Sequence, residues 1–168
     1  MTIAQTMLPE VEQEMANTRK TLARVPDSAW DYKPHEKSMS MGALALHIAM
    51  MADWGADTLT SPSFDVAPVD APPYQMPEGK NTQQVLALFD KAIVRFKETL
   101  SATQDSAMMA SWSLLQGGKP LFSMPRAAVI RGMILNHLVH HRGQLTVYLR
   151  LNGVPVPALY GPSADEQA

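Results

Sequence analysis

Proline and glycine cut this chain into four long stretches in which apolar residues recur at helical spacing, and that punctuation limits the fold more than any other feature. The first stretch runs from about Ala4 to Arg24, with Ile3, Met7, Leu8, Val11, Met15, Thr18 and Leu22 on one stripe. Pro26 and Pro34 bracket the loop that follows. The second opens at Ser40, a good N-cap, and continues to about Thr60, where Pro62 stops it. It is apolar nearly all round, as expected of a well-buried helix. The third spans Thr82 to about Ala102, with Asn81 or Thr82 as its cap. The fourth is expected to start at Ser123 as N-cap, to carry Pro125 in its first turn and to run to about Leu151, before Asn152-Gly153 ends it.

Between the second and third stretches lies Ser61 to Lys80, rich in proline and excluded from helix or central strand. A long irregular crossover of this kind is a candidate for shaping access to a site. Ser106 to Leu121, with the pair Gly117-Gly118, reads as a short hairpin or an irregular excursion. These elements predict an all-α fold, a four-helix bundle with a long crossover between helices 2 and 3, in a single domain over residues 1–168.

Composition narrows the chemistry. Cysteine is absent, so disulfides, thiolate metal sites and cysteine nucleophiles are excluded, and a metal would need His, Asp or Glu. A net charge of -2 without a basic cluster argues against nucleic acid as a partner. The N-terminal residues lack a basic n-region and an apolar h-region, and no stretch approaches about 18 uninterrupted apolar residues. The expectation is a soluble cytoplasmic protein with no membrane partner.

Bundles hold metals and cofactors on inward-facing side chains, which directs attention to the five histidines. His35 lies in the proline-bracketed loop among charged neighbours and reads as a solvated residue. His137 and His141 are four apart on the fourth helix, about 40° from each other and one turn up. Ile130, Met133, Ile134 and Tyr148 lie within about 60° of His137, so the pair sits on the stripe that faces the core. Burying two imidazoles without partners is costly. His140 is within about 60° of His137 as well, and spacing leaves His140 and His141 as alternatives for the second ligand. His47 stands in the middle of the most apolar segment, Ala43 to Met51. Three histidines from two helices could form a facial site for a divalent ion with a position open to water or substrate. Imidazole ligands suit Zn, Ni, Co or Fe(II).

Among the supporting residues, Gln144 lies about 20° from the direction of His137, two turns on, with Tyr148 a further turn away. Either is a candidate for orienting a ligand or substrate, against plainer roles in the core and between helices. Arg142 points away from the histidine stripe, as a salt-bridge or interface residue would. Arg126 is on the stripe but about 16 Å along the axis from His137. Asp53 and Asp57 share the face of His47 poorly, whereas Trp54 shares it well and reads as a core residue.

The string Asn136-His137-Leu138-Val139-His140-His141-Arg142-Gly143-Gln144-Leu145 resembles the C-terminal helix signature of the DinB/YfiT-like superfamily. The tail from Tyr148 through Gly153, Pro155 and Pro157 to Tyr160-Gly-Pro resembles how that helix ends, and Ser40-Met-Gly-Ala-Leu-Ala-Leu-His47-Ile resembles the start of the second helix. The resemblance covers nearly the whole chain in element order. It implies a four-helix bundle, a homodimer, and a divalent transition metal, zinc or nickel foremost, bound by His47, His137 and His141. It also implies His141 rather than His140, because His141 directly precedes Arg-Gly-Gln.

Members of the superfamily include low-molecular-weight-thiol S-transferases and a thiol-dependent isomerase. The function implied is a metal-dependent enzyme that activates a thiol cosubstrate or water toward a small-molecule substrate. The alternative is a non-enzymatic, metal-stabilised dimeric bundle acting as a binding or stress-response module.

Overall fold

The computed structural model describes residues 1–167. Helix α1 (Ile3–Leu22) begins in a capping box, the Thr2 hydroxyl accepting from the Gln5 N–H and the Gln5 side chain accepting from the Thr2 N–H. Helix α2 (Met41–Thr60) is capped by Ser40, and α3 (Thr82–Ala102) by Asn81, whose side chain accepts from the Gln84 N–H. The short α4 (Asp105–Met108) leads into two strands, and the chain finishes in α5 (Arg126–Val129), a π-helical segment (Ile130–Asn136) and α6 (His137–Leu151), which follow one another without a break. Helix α2 packs along both α3 and α6, and α1 closes the other side against the same two helices. The core lies between them, with Met15, Ile48, Met51, Phe89, Phe96, Leu138 and Leu145 wholly buried. Among the described residues, no helix is long and apolar enough to cross a membrane.

The fold is helix-rich but not all-α. A three-stranded sheet in the order β1 (Ser63–Asp65), β2 (Ser111–Gln116), β3 (Lys119–Pro125) lies beside the helices. The β2–β3 pair is a hairpin turned by Gly117 and Gly118 at φ 60° and 74°. Such left-handed pairs match the strand twist, and glycine adopts them without a Cβ penalty. β1 comes from the crossover and joins β2 in parallel. The Asp65 carboxylate secures this join by accepting from the N–H groups of Ala67, Gly117 and Gly118. A crossover segment captured by an edge strand is a tertiary pairing, and helical periodicity carries no trace of it.

The last helix departs from expectation for the same reason. Ser123 does not cap it. It lies in β3, where its hydroxyl pairs with that of Ser113 at 2.7 Å. Pro125 is the N-cap, and the helix widens between Ile130 and Asn136. A π-segment adds residues per turn, so faces counted at 100° per residue drift across it, and such segments often mark functional positions.

Candidate metal site at the mouth of an apolar cavity

His47 is carried by α2, and His137 and His141 stand on the first turn and a half of α6. Their Nε2 atoms converge: His47 to His137 at 3.4 Å, and His141 to His137 at 2.8 Å. One ligand atom from each lies within 4.8 Å of the others, and among the described residues this is the one group of three or more His, Asp or Glu so arranged. The structure thus brings together the three histidines named from sequence. His140 is exposed on the outer side, and His35 sits in its loop, accepting from the Lys37 N–H at 3.2 Å.

Hydrogen bonding sets the His141 tautomer. The Nδ1–H of His141 donates to Gln144 Oε1 at 2.7 Å, and the Gln144 amide N–H donates to His140 Nε2 at 3.1 Å. His141 Nε2 is then left with a lone pair directed at His137 Nε2 across 2.8 Å, so the two nitrogens share a proton or face a common cation. Nitrogen ligands on a tetrahedral zinc, with bonds of about 2.0–2.1 Å, stand about 3.3 Å apart, close to the 3.4 Å between His47 and His137 and wider than the 2.8 Å between His137 and His141. The donor set therefore fits a divalent metal. Burial pushes all three imidazoles toward the neutral, ligating form, and the neighbouring histidines add to it for His47, whose pKa falls to about 4.

Beyond His47 and His137 the protein opens into a cavity of about 380 Å³. The sheet forms one wall, with Phe64, Leu114 and Phe122 in a single row across the three strands, flanked by Trp112. Helix α2 and the π-segment form the other, through Trp54, Met133 and Ile134. The crossover contributes Val66, Tyr74 and Met76 as well as Phe64. Aromatic edges link the two walls: His47 to Trp54 at 5.3 Å between centroids, Trp54 to Tyr74 at 6.0 Å, and Tyr74 to Phe64 at 5.4 Å. The Trp54 indole donates to the Tyr74 hydroxyl at 3.2 Å. Trp54 is therefore half-buried, packed against the core on one side and lining the cavity on the other.

Sequence reasoning missed Trp112, Leu114 and Phe122 as site residues: strand pairing puts them on one face of the hairpin, and only the fold turns that face toward the histidines.

The remaining candidates have other employment. Tyr148 is buried, with its hydroxyl donating to the Met39 carbonyl and its ring edge-on to Tyr32 at 6.2 Å. Asp53 and Asp57 both bind Arg95, at 2.5 Å each. Arg126 donates to the backbone carbonyls of Thr58, Ala107 and Ser61, tying the end of α2 to α4. Arg142 is in a buried ion pair with Glu14 at 2.6 Å, joined by Thr18 and Tyr160.

A Bacillus cereus DinB-like protein has a similar fold, with a TM-score of 0.71 and 24% identity, covering 93% of this chain and 97% of that one. A DinB-like protein of Bacillus subtilis, YjoA, superposes with a TM-score of 0.68 at 19% identity, covering 89% and 95%. In sequence, the Bacillus subtilis protein YrdA is 42% identical over 45 residues, which is 27% of this chain and only 26% of that relative's length. The DinB family model matches residues 1–168. By that match over its whole length, the chain belongs to the DinB family.

Proposed function

We propose that this protein is a metal-dependent enzyme on a four-helix-bundle scaffold, in which His47, His137 and His141 hold a divalent transition metal and a thiol cosubstrate or water is activated toward a small-molecule electrophile. The observation that carries the reading is the convergence of three neutral imidazoles at the mouth of an apolar cavity. A divalent cation lowers the pKa of a thiol or water placed beside it and so supplies a nucleophile at neutral pH, which a chain without cysteine needs from outside. Three protein ligands leave room for such a group, as catalytic sites do.

The chain's own residues supply order and dryness. Gln144 keeps the His141 proton on Nδ1, so Nε2 faces inward as a ligand. Trp54 and Tyr74 cover the approach from the crossover, and Trp112 and Phe122 wall off the far side, which excludes water from the reacting centre. The homodimer implied by the family belongs to the same proposal.

The test is the metal content of untagged protein purified without added metal, beside His137→Ala. About one equivalent of a transition metal, lost in the variant, is expected, followed by thiol transfer in a screen of thiols and electrophiles. Failure to take up Zn, Ni, Co or Fe(II) overturns the enzyme reading. Tight metal binding with no activity across the screen would favour the non-enzymatic module instead.

A further inference from the structure

The cavity beside the histidines differs from an ordinary polar active site in what it lacks. Among the described residues that line it there is no lysine or arginine, so an anionic group entering it meets no counter-charge. Its one carboxylate, Asp57, is already bound to Arg95 on the outside. The Thr58 hydroxyl donates to the Trp54 carbonyl at 2.8 Å, and the Tyr74 hydroxyl accepts from Trp54. The wall thus offers an entering molecule apolar surface, the two histidines and the free proton of the Tyr74 hydroxyl at the exposed rim. Trp112 lines the space with its ring, while its indole N–H is buried out of reach of the cavity.

Size sets the remaining limit. An apolar cavity of about 150 Å³ accepts benzene. The 380 Å³ here is more than twice that, enough for a two-ring body or an equivalent branched chain.

We propose that the substrate is an uncharged, largely apolar or aromatic molecule whose body fills the space between the sheet and α2, with its reactive end at His47 and His137. This deepens the function proposed above and rests on it for the reaction at the histidine end. The binding itself needs only the cavity. The part of the molecule between the sheet and α2 cannot carry an anionic group, since no charged side chain there replaces its water.

The experiment uses the full-length protein, as purified and again after chelation. N-phenyl-1-naphthylamine serves as a neutral aromatic probe, and 8-anilinonaphthalene-1-sulfonate as its anionic counterpart, with binding read from quenching of the tryptophan emission. The neutral probe is expected to bind at one site in both preparations, and the sulfonate at least tenfold more weakly in the chelated protein, where no cation faces the cavity.

Failure of the neutral probe to bind, or equal binding of the sulfonate to the chelated protein, overturns the apolar assignment. Probe binding in a protein that takes up no metal would sink the metal-dependent reading alone. Metal uptake with the probes excluded would sink this inference alone.

Discussion

Gln144 bridges two histidines of one helix, accepting from His141 Nδ1 at 2.7 Å and donating to His140 Nε2 at 3.1 Å. Its carbonyl end fixes the His141 tautomer, and its amide end uses the outer histidine as an anchor. Outer partners of this kind are worth 10–100-fold in metal affinity. Gln144→Leu is expected to weaken cobalt binding by about that factor, measured by titration of the visible d–d bands. Because Gln144 is exposed, the melting temperature of the chelated protein should hardly move. Undiminished affinity would show that Gln144 does not orient the ligand.

Acid should act on the metal-free protein through the same histidines. Their folded-state pKa values lie below the ordinary 6.5, His47 at about 4, because burial disfavours the imidazolium. Below pH 6.5 the unfolded chain therefore binds more protons than the folded one. The stability held by the neutral imidazoles is complete above pH 6.5 and drains away as pH falls from 6.5 toward 4. Urea titrations of chelated protein between pH 7.5 and 5 check this, in a window above the carboxylate range. The slope should flatten in His47→Leu, and a flat profile in the unmutated chain would contradict the assignment.

Gly42 offers a test of packing with an inverted sign. It is in the first turn of α2, and a Cβ there would fall 2.2 Å from Trp30 Cε2. In most helices Gly→Ala stabilises by roughly 0.5–1 kcal/mol. Here the indole lies across the backbone, with the Gly42 N–H donating to the Trp30 carbonyl at 2.9 Å. Gly42→Ala should destabilise by about 1–3 kcal/mol in urea denaturation as Trp30 is displaced. A gain in stability would mean that the ring moves freely.

The pair formed by Arg142 and Glu14 is the most buried charge in the chain, with side chains 2% and 11% exposed. Breaking one partner of such a pair leaves the other charge without compensation, at a cost of about 3–5 kcal/mol. Glu14→Ala should fall in that range, whereas Tyr160→Phe removes a hydroxyl that donates to Glu14 and accepts from Arg142 and should cost about 1.5–3 kcal/mol. Replacing both charges, as Glu14→Leu with Arg142→Met, should recover most of the loss. A double variant as unstable as Glu14→Ala would locate the cost in packing.

The sequence by itself determined the four long helices, their caps at Ser40 and Asn81, and the three histidines that meet. Apolar periodicity, capping and an i, i+4 spacing act within a turn or two, so they can be read along the chain. The choice of His141 over His140 was not in the spacing and came from the likeness of its Arg-Gly-Gln neighbours to the DinB family. Tertiary structure decided the rest. β1 exists because the crossover finds the edge of β2, a pairing between residues 63 and 113 with no local signature. Ser123 reads as a helix cap and is held in a strand by Ser113, because cross-strand pairing outweighs a local capping preference. Trp54 reads as core and becomes cavity wall because the nearest ring on its open side, Tyr74, is supplied by that same crossover. Whether an apolar face packs or lines a space depends on what arrives opposite it, and that is settled only when distant segments meet.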